Sequence, residues 1–171
     1  YAKSPIDMAL WDLTAQAAKL PLYPLVGGAC QADMPLYHSI TCIVPDEMAR
    51  IASDAYQQGI RQFQAKLGAD QDWQADVERL RLVRDAVGAG PLVYGDWNCG
   101  ASQLDASRVG RAVAHLDIML EQPCRTMAEC EAVRRATGLP MKLDESAHYT
   151  ATLLEGYRRG IMDAVALKLS K

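Results

Sequence analysis

Short runs of apolar or β-branched residues alternate with longer helical patterns along most of the chain. The runs that predict strands span residues 36–41, 62–67, 92–94, 118–120, 141–143 and 164–169. Apolar residues recur at helical spacing over residues 45–58, 73–86, 105–115, 126–137 and 149–159. Strands that alternate with helices usually pair in parallel, through right-handed crossover connections. The pattern therefore predicts an α/β fold built from repeated strand–helix units.

A further helix is predicted before the first strand, over residues 4–19. Ser4 and Pro5 form a favoured pair for an N-cap and a first helical position, and Ile6, Leu10 and Leu13 share one helical face. A glycine pair at 27–28 then turns the chain. We therefore expect a leading helix and linker over residues 1–33, followed by an α/β domain over residues 34–171.

Two folds fit this alternation, a doubly wound open sheet and a (β/α)8 barrel, and periodicity alone does not separate them. A doubly wound sheet that binds a phosphorylated ligand is expected to carry a glycine-rich loop after an early strand. The sequence has no such motif. Charged residues follow the predicted strands instead, so the loops favour the barrel.

Composition excludes several classes of protein. The 171 residues are 50% hydrophobic and carry a net charge of −3, so no basic face for nucleic acid is indicated. No apolar stretch has the length of a membrane span, and no export signal begins the chain. The five cysteines are odd in number and form no CxxC pair, as expected of reduced thiols. A cytoplasmic protein is the expectation.

Charged residues stand at or just after the ends of five predicted strands, and successive members are 23 to 30 positions apart, about one strand–helix unit. They are Lys66, Asp96, Glu121, Asp144 and Lys168. The ends of parallel strands meet at one edge of a sheet, so the three carboxylates are expected to crowd together and to require a positive charge between them. Oxygen ligands without thiolate or imidazole favour Mg²⁺. The spacing therefore predicts a magnesium site.

The two lysines lie on the strands before and after the three acids. A substrate carboxylate bound to Mg²⁺ would present its α-carbon between Lys66 and Lys168, so that one amine removes the α-proton and the other acts on the opposite face. The metal would hold the resulting enediolate. Asn98, Glu145 and Gln64 are candidates for hydrogen bonds that orient the metal ligands. Alternatively, Asn98 is a turn residue and Glu145 pairs with a surface base.

Several short motifs support this arrangement in their order and spacing. They include Leu25-Val-Gly-Gly, Phe63-Gln-Ala-Lys66, Gly95-Asp96-Trp-Asn98, Leu120-Glu121-Gln-Pro-Cys, Lys142-Leu-Asp144-Glu-Ser and Leu167-Lys168. With them, essentially the whole chain resembles the enolase superfamily, in its mandelate racemase and muconate lactonizing enzyme branch. The resemblance implies Asp96, Glu121 and Asp144 as Mg²⁺ ligands and Lys66 and Lys168 as acid/base residues.

The resemblance also implies an eight-stranded barrel, an N-terminal capping domain that closes over the substrate, and assembly into homo-oligomers. Barrels of this kind run to about 250 residues. We therefore expect this chain to be a partial (β/α)8 TIM barrel with about six of its eight strands, without the capping domain. On this expectation the chain is a fragment of a longer protein and is inactive alone.

Within the branch, the chain is most similar to cis-3-hydroxy-L-proline dehydratases. Proline-betaine epimerases and sugar-acid dehydratases of the same branch are the alternatives, and all of them begin with removal of an α-proton from a small carboxylate. A structural or interaction module without activity is the alternative from another class. One position departs from the muconate-type pattern, because Gln64 stands where many members carry a first lysine.

Overall fold

The computed structural model describes residues 3–168 and divides the chain into two compact units. One unit comprises Tyr1–Pro35 together with Leu167–Lys171, and the other comprises Leu36–Ala166. The division into domains after residue 33 stays a prediction. No helix within residues 3–168 is both long enough and apolar enough to cross a membrane.

The first unit contains the leading helix, α1, at Ser4–Ala18 and a short helix, α2, at Leu22–Leu25. Helix α1 begins at Ser4 as predicted, but its N-cap is Lys3, so Ser4 lies in the first turn and does not cap the helix. The face predicted to be apolar is largely exposed, since Ile6 and Leu13 lie in solvent and Ala15 is the buried residue of the helix. Helix α2 was not predicted, because four residues flanked and interrupted by proline show no helical period.

The second unit is built on a parallel sheet in which each strand pairs with the next in chain order. Its strands are β1 (His38–Ile40), β2 (Gln62–Lys66), β3 (Leu92–Asp96), β4 (Ile118–Glu121), β5 (Met141–Leu143) and β6 (Ala164–Val165). Within the described residues, β1 and β6 are the two edges, so the six strands form an open part of a barrel. The predicted count of strands and their parallel order are confirmed.

A helix follows each of the first five strands, as predicted. The helices are α3 (Pro45–Gln57), α4 (Trp73–Val87), α5 (Gln103–Ala112), α6 (Met127–Thr137) and α7 (Thr150–Arg158). Side-chain hydrogen bonds cap the N-termini of α4 and α6. Asp72 accepts a hydrogen bond from the Gln74 amide, and Thr126 forms a capping box with Glu129. The core lies between the helices and the sheet, where Phe63, Leu80 and other apolar side chains are fully buried.

Strand β3 is two residues longer than predicted, and the difference matters for the site. The apolar run that predicted this strand ends at Tyr94, and the next residue is glycine, which is a weak strand residue. In the structure, Gly95 continues the ladder, and a Cβ at this position would lie 2.7 Å from Leu67 Cδ1 and 3.1 Å from Leu80 Cδ2. Absence of a side chain therefore lets α4 pack closely on β3, and the strand extends to Asp96.

The two edge strands are shorter than predicted. Strand β1 has three residues instead of six, and Leu36 and Tyr37 before it are exposed. Strand β6 is described only at Ala164–Val165, where Ala164 is in register with Lys142. The last residue of the predicted sixth run, residue 169, lies outside the described part of the chain.

Candidate active site

Strand register places three of the predicted charged residues side by side. Lys66 is the register partner of Asp96, and Asp96 is the register partner of Glu121. All three lie at the carboxyl ends of their strands, as the sequence predicted. The Asp96 and Glu121 carboxylates are buried, each residue being 1% exposed. Two like charges out of contact with water repel each other strongly, so hydrogen-bond donors and cations beside them are needed to stabilise the pair.

Gln64 joins these two carboxylates. Its side-chain amide nitrogen, Nε2, donates to Asp96 Oδ2 and to Glu121 Oε2, each at 2.9 Å. The residue lies two positions before Lys66 on β2, so the alternation of side chains along a strand puts both on the same face. A neutral amide thus bridges the two acids.

Lys66 forms the exposed side of the cluster. Its ammonium nitrogen lies 2.5 Å from Asp96 Oδ2 and 2.8 Å from Asn98 Oδ1. The Lys66 side chain is 31% exposed, whereas the Asp96 side chain is fully buried. The amine therefore lies at the boundary between the buried acids and solvent, where a small molecule can reach it.

Asn98 and Glu145 continue the same network of hydrogen bonds. The Asn98 amide nitrogen of the backbone donates to Asp96 Oδ1 at 2.8 Å, and its side-chain nitrogen donates to Glu145 Oε1 at 3.0 Å. Asn98 adopts a left-handed backbone conformation, with φ at 46°, which asparagine tolerates better than most residues. The two residues therefore connect the loops that follow β3 and β5. Whether they support metal ligands stays a prediction.

Lys142 is a member of the cluster that the sequence reasoning missed. Its ammonium nitrogen lies 3.2 Å from Glu121 Oε1 and 4.3 Å from the centroid of the Tyr94 ring. A signal was available, since Lys142 precedes Asp144 by two residues on a predicted strand and such residues share a face. Glu121 is thus held at one oxygen by Lys142 and at the other by Gln64.

Burial dominates the electrostatics of this cluster. It raises the pKa of the Glu121 carboxyl above its usual value, and the negative charge of Asp96 raises it further. Gln64 and Lys142 act in the opposite direction, because both stabilise the ionised form. Burial likewise raises the pKa of the Tyr94 hydroxyl, with Glu121 as the second cause. Additional positive charge beside Glu121 would oppose these effects.

Asp144 is buried at 2% exposure and follows β5 directly. Its backbone amide donates to the side-chain oxygen of Gln122 at 2.9 Å, which ties the end of β5 to the segment after β4. Gln122 was not singled out from the sequence. Its contacts depend on a left-handed backbone conformation, with φ at 32°, that no periodic pattern reveals.

Lys168 belongs to the other compact unit and is exposed. Its role as an acid/base residue beside the three carboxylates stays a prediction.

The donor set fits Mg²⁺ in its chemistry. Within residues 3–168, no group of three or more His, Cys, Asp or Glu side chains is already arranged to hold a metal ion. Carboxylate oxygens are nevertheless the ligands that Mg²⁺ prefers. In the same described part, the buried Glu145 Oε2 has no hydrogen-bond partner, as expected where an ion or its bound water is needed. The assignment of Asp96, Glu121 and Asp144 as ligands stays a prediction.

A parallel sheet with buried acids at successive strand ends defines the class of the protein. Residues 47–171 match the family described as enolase C-terminal domain-like, and residues 1–27 match the N-terminal domain of mandelate racemase / muconate lactonizing enzyme. The leading helix is therefore similar to part of that N-terminal domain. The chain belongs to the enolase superfamily, in its mandelate racemase/muconate lactonizing enzyme branch.

Individual relatives agree with this assignment. A cis-3-hydroxy-L-proline dehydratase from Roseibium aggregatum is 40% identical over 171 residues, covering 100% of this chain and 46% of that protein. An N-succinyl-L-Arg/Lys racemase from Bacillus cereus is 29% identical over 177 residues, covering 99% of this chain and 47% of that protein. The chain spans about half the length of the curated relatives it matches.

Solved structures show the same fold. An enolase-superfamily member from Roseovarius nubinhibens ISM, crystallised in complex with magnesium, has a TM-score of 0.83 and 35% sequence identity. The match covers 99% of this chain and 46% of that one. The described sheet is thus part of a barrel of the enolase type.

Proposed function

We propose that the complete gene product removes the α-proton of a small carboxylate in a Mg²⁺-dependent reaction, and that this reaction is the dehydration of cis-3-hydroxy-L-proline. The observation that carries the proposal is the position of Lys66, a partly exposed amine 2.5 Å from one of two adjoining buried carboxylates. Membership of the superfamily and the 40% identical dehydratase support the choice of reaction.

Asp96, Glu121 and Asp144 are the residues that would hold the metal. When bound, Mg²⁺ supplies positive charge that stabilises the negative charge developing on the substrate carboxylate. Gln64 and Lys142 fix the two oxygens of Glu121, while Asn98 supports Asp96 from the loop after β3. Ligands whose orientation is fixed in advance lose less entropy on binding an ion.

Lys66 is proposed as the base. Its neutral amine would accept the α-proton, and Asn98 Oδ1, at 2.8 Å, orients the nitrogen. The electrons of the broken C–H bond then expel the 3-hydroxyl group, which leaves as water after receiving a proton. We assign that second proton transfer to Lys168, on the position of this residue at the end of the sixth predicted run.

Epimerisation is the second candidate, and the racemase from Bacillus cereus is the observation that favours it. The first step is the same. The outcome differs because the second lysine would return a proton to the opposite face of the α-carbon, leaving any hydroxyl in place.

Incubation of the complete gene product with cis-3-hydroxy-L-proline and Mg²⁺ in D₂O separates these outcomes. Dehydration predicts a pyrroline carboxylate product detected by NMR and mass spectrometry. Incorporation of deuterium at the α-carbon without loss of the hydroxyl would identify an epimerase. Absence of both product and exchange, for this substrate and for proline betaine, would contradict α-proton chemistry and favour a module without activity.

A further inference from the structure

Gln122 connects the three segments that carry the predicted metal ligands. Its backbone amide donates to the carbonyl of Lys142 on β5, and its own carbonyl accepts from the amide of Cys99 after β3, each at 2.9 Å. The residue follows Glu121 directly at the end of β4. It is fully buried, so these contacts are not shared with solvent.

The side chain of Gln122 organises the loop after β5. Its oxygen, Oε1, accepts from the backbone amides of Asp144 at 2.9 Å and Ser146 at 3.2 Å, and from Ser146 Oγ at 3.0 Å. Its nitrogen donates to the Cys124 carbonyl at 2.9 Å, which fixes the orientation of the amide. The side chain therefore uses both of its functional groups, and three donors from one loop converge on a single oxygen.

The hydrogen bond from the Asp144 amide to Gln122 bears on the proposed metal site, because Asp144 is one of the predicted ligands. A hydrogen bond to the backbone amide of a residue restricts the position of its Cα and hence of its carboxylate. The backbone of Gln122 itself is left-handed, with φ at 32°, a conformation that is costly for a non-glycine residue. An apolar side chain of similar length would leave the Asp144 and Ser146 amides without an acceptor in a buried setting.

We propose that Gln122 is a positioning residue that fixes the Asp144–Ser146 backbone and thereby sets the affinity of the site for Mg²⁺. The inference rests on the proposed function, because it takes Asp144 as a metal ligand. Residues that orient metal ligands through hydrogen bonds typically change metal affinity by about 10- to 100-fold when they are replaced. Gln122→Met is therefore expected to weaken Mg²⁺ binding by at least about tenfold.

The test compares Mg²⁺ dissociation constants of the complete gene product, measured by titration calorimetry, in the wild type, Gln122→Met and Val133→Ala. Val133 is fully buried on α6, and its apolar side chain makes none of these hydrogen bonds, so Val133→Ala serves as a control that lowers thermal stability. Hydrogen exchange without metal is measured in parallel, and Gln122→Met is expected to accelerate exchange at the Asp144 and Ser146 amides. The control is expected to leave both Mg²⁺ affinity and these two amides unchanged.

A milder variant keeps the test decisive if Gln122→Met does not fold. Ser146→Ala removes one of the three donors and is expected to weaken Mg²⁺ binding by roughly threefold. Wild-type affinity in the variant that folds would overturn this inference while leaving the proposed function in place. Failure of the wild type itself to bind Mg²⁺ would overturn the proposed function and this inference together.

Discussion

Helix α4 carries two buried arginines that serve opposite ends of the sheet. Arg79, midway along the helix, binds the carboxylates of Asp70 and Asp76 and the carbonyl of Ile43. Arg84, one and a half turns later, binds carbonyl oxygens only. Its acceptors are the carbonyls of Gly88, Pro91, Leu116 and Asp117.

The acceptors of the two arginines differ in charge: Arg79 binds carboxylates, whereas Arg84 binds only neutral carbonyls. At the amino ends of the strands, the Arg84 guanidinium donates to neutral carbonyls of the neighbouring loops. At the carboxyl end, Asp76 also accepts from the Trp97 indole at 2.9 Å and from the Gly68 amide at 3.1 Å, which ties together the loops after β2 and β3. Those are the loops that follow Lys66 and Asp96. We therefore expect changes at the amino end to affect stability, and changes at the carboxyl end to affect activity as well.

The largest expected effect is on activity. Lys66→Met in the complete gene product is predicted to lower kcat by about 10²- to 10⁴-fold, because a general base contributes that much to proton transfer. The thermal midpoint is expected to fall, because the buried Asp96 carboxylate loses its ammonium partner, so kcat is compared at a temperature where the variant is folded. Steady-state kinetics and thermal melts check both parts, with the exposed Lys19→Met as a matched control. Undiminished turnover in Lys66→Met would remove this residue from the reaction.

Arg84→Met is the corresponding change at the amino ends of the strands. It is predicted to lower the free energy of unfolding by about 3 kcal/mol, because several buried carbonyls lose a charged donor at once. Denaturant unfolding measures the loss, and Arg84→Lys should show a smaller one, since an ammonium cannot reach acceptors in the same planar arrangement. The Mg²⁺ affinity of the folded variant should equal that of the wild type. A tenfold change in that affinity would break the proposed contrast between the two ends.

Asp70 gives a prediction for pH dependence. The Arg79 guanidinium holds the pKa of the Asp70 carboxyl at about 2, below its value in an unfolded chain. Because the folded-state pKa is the lower one, the stabilisation is present above the unfolded pKa near 4 and is lost as pH falls towards 2. The Asp70 side chain is 45% exposed, so solvent screening limits the contribution to about 1 kcal/mol.

The comparison of Asp70→Asn with the wild type tests the contribution of the Asp70 charge to stability. The difference in unfolding free energy should be present at pH 6 and should disappear at pH 2, as measured by urea unfolding at each pH. If the difference in unfolding free energy persists at pH 2, it arises from packing and not from the charge of Asp70.

The smallest effect is expected at Arg81, the third arginine of α4. It pairs with Glu78 and Asp85 on the solvent face of the helix, and its side chain is 45% exposed. Surface pairs of this kind contribute little, so Arg81→Ala should leave the thermal midpoint unchanged. A loss as large as that of Arg84→Met would show that burial does not govern the contribution of these arginines.

Periodicity predicted most of the second unit because its strands and helices follow regular patterns. The first five strands and every predicted helix agree with the structure to within three residues at each end, whereas β6 is described only to Val165, four residues before the end of its predicted run. The departures occur where tertiary contacts override local pattern. Gly95 remains in a strand because α4 packs against it, and β1 is short because an edge strand pairs on one side only.

The site was predictable where chemistry follows strand order and unpredictable where it depends on loop conformation. Asp96, Glu121 and Lys66 lie together because each ends a neighbouring parallel strand. The alternation along β5 could also have indicated Lys142. Gln122 could not be found this way, because its contacts cross from one loop to the next and depend on its own backbone angle.

The most direct test of the proposed metal site is a crystal structure of the complete gene product grown with Mg²⁺. We predict one ion bound by oxygens of Asp96, Glu121 and Asp144 at about 2.1 Å, with Gln64 and Lys142 still beside Glu121. An ion bound elsewhere, or none at these three carboxylates at saturating Mg²⁺, would contradict it.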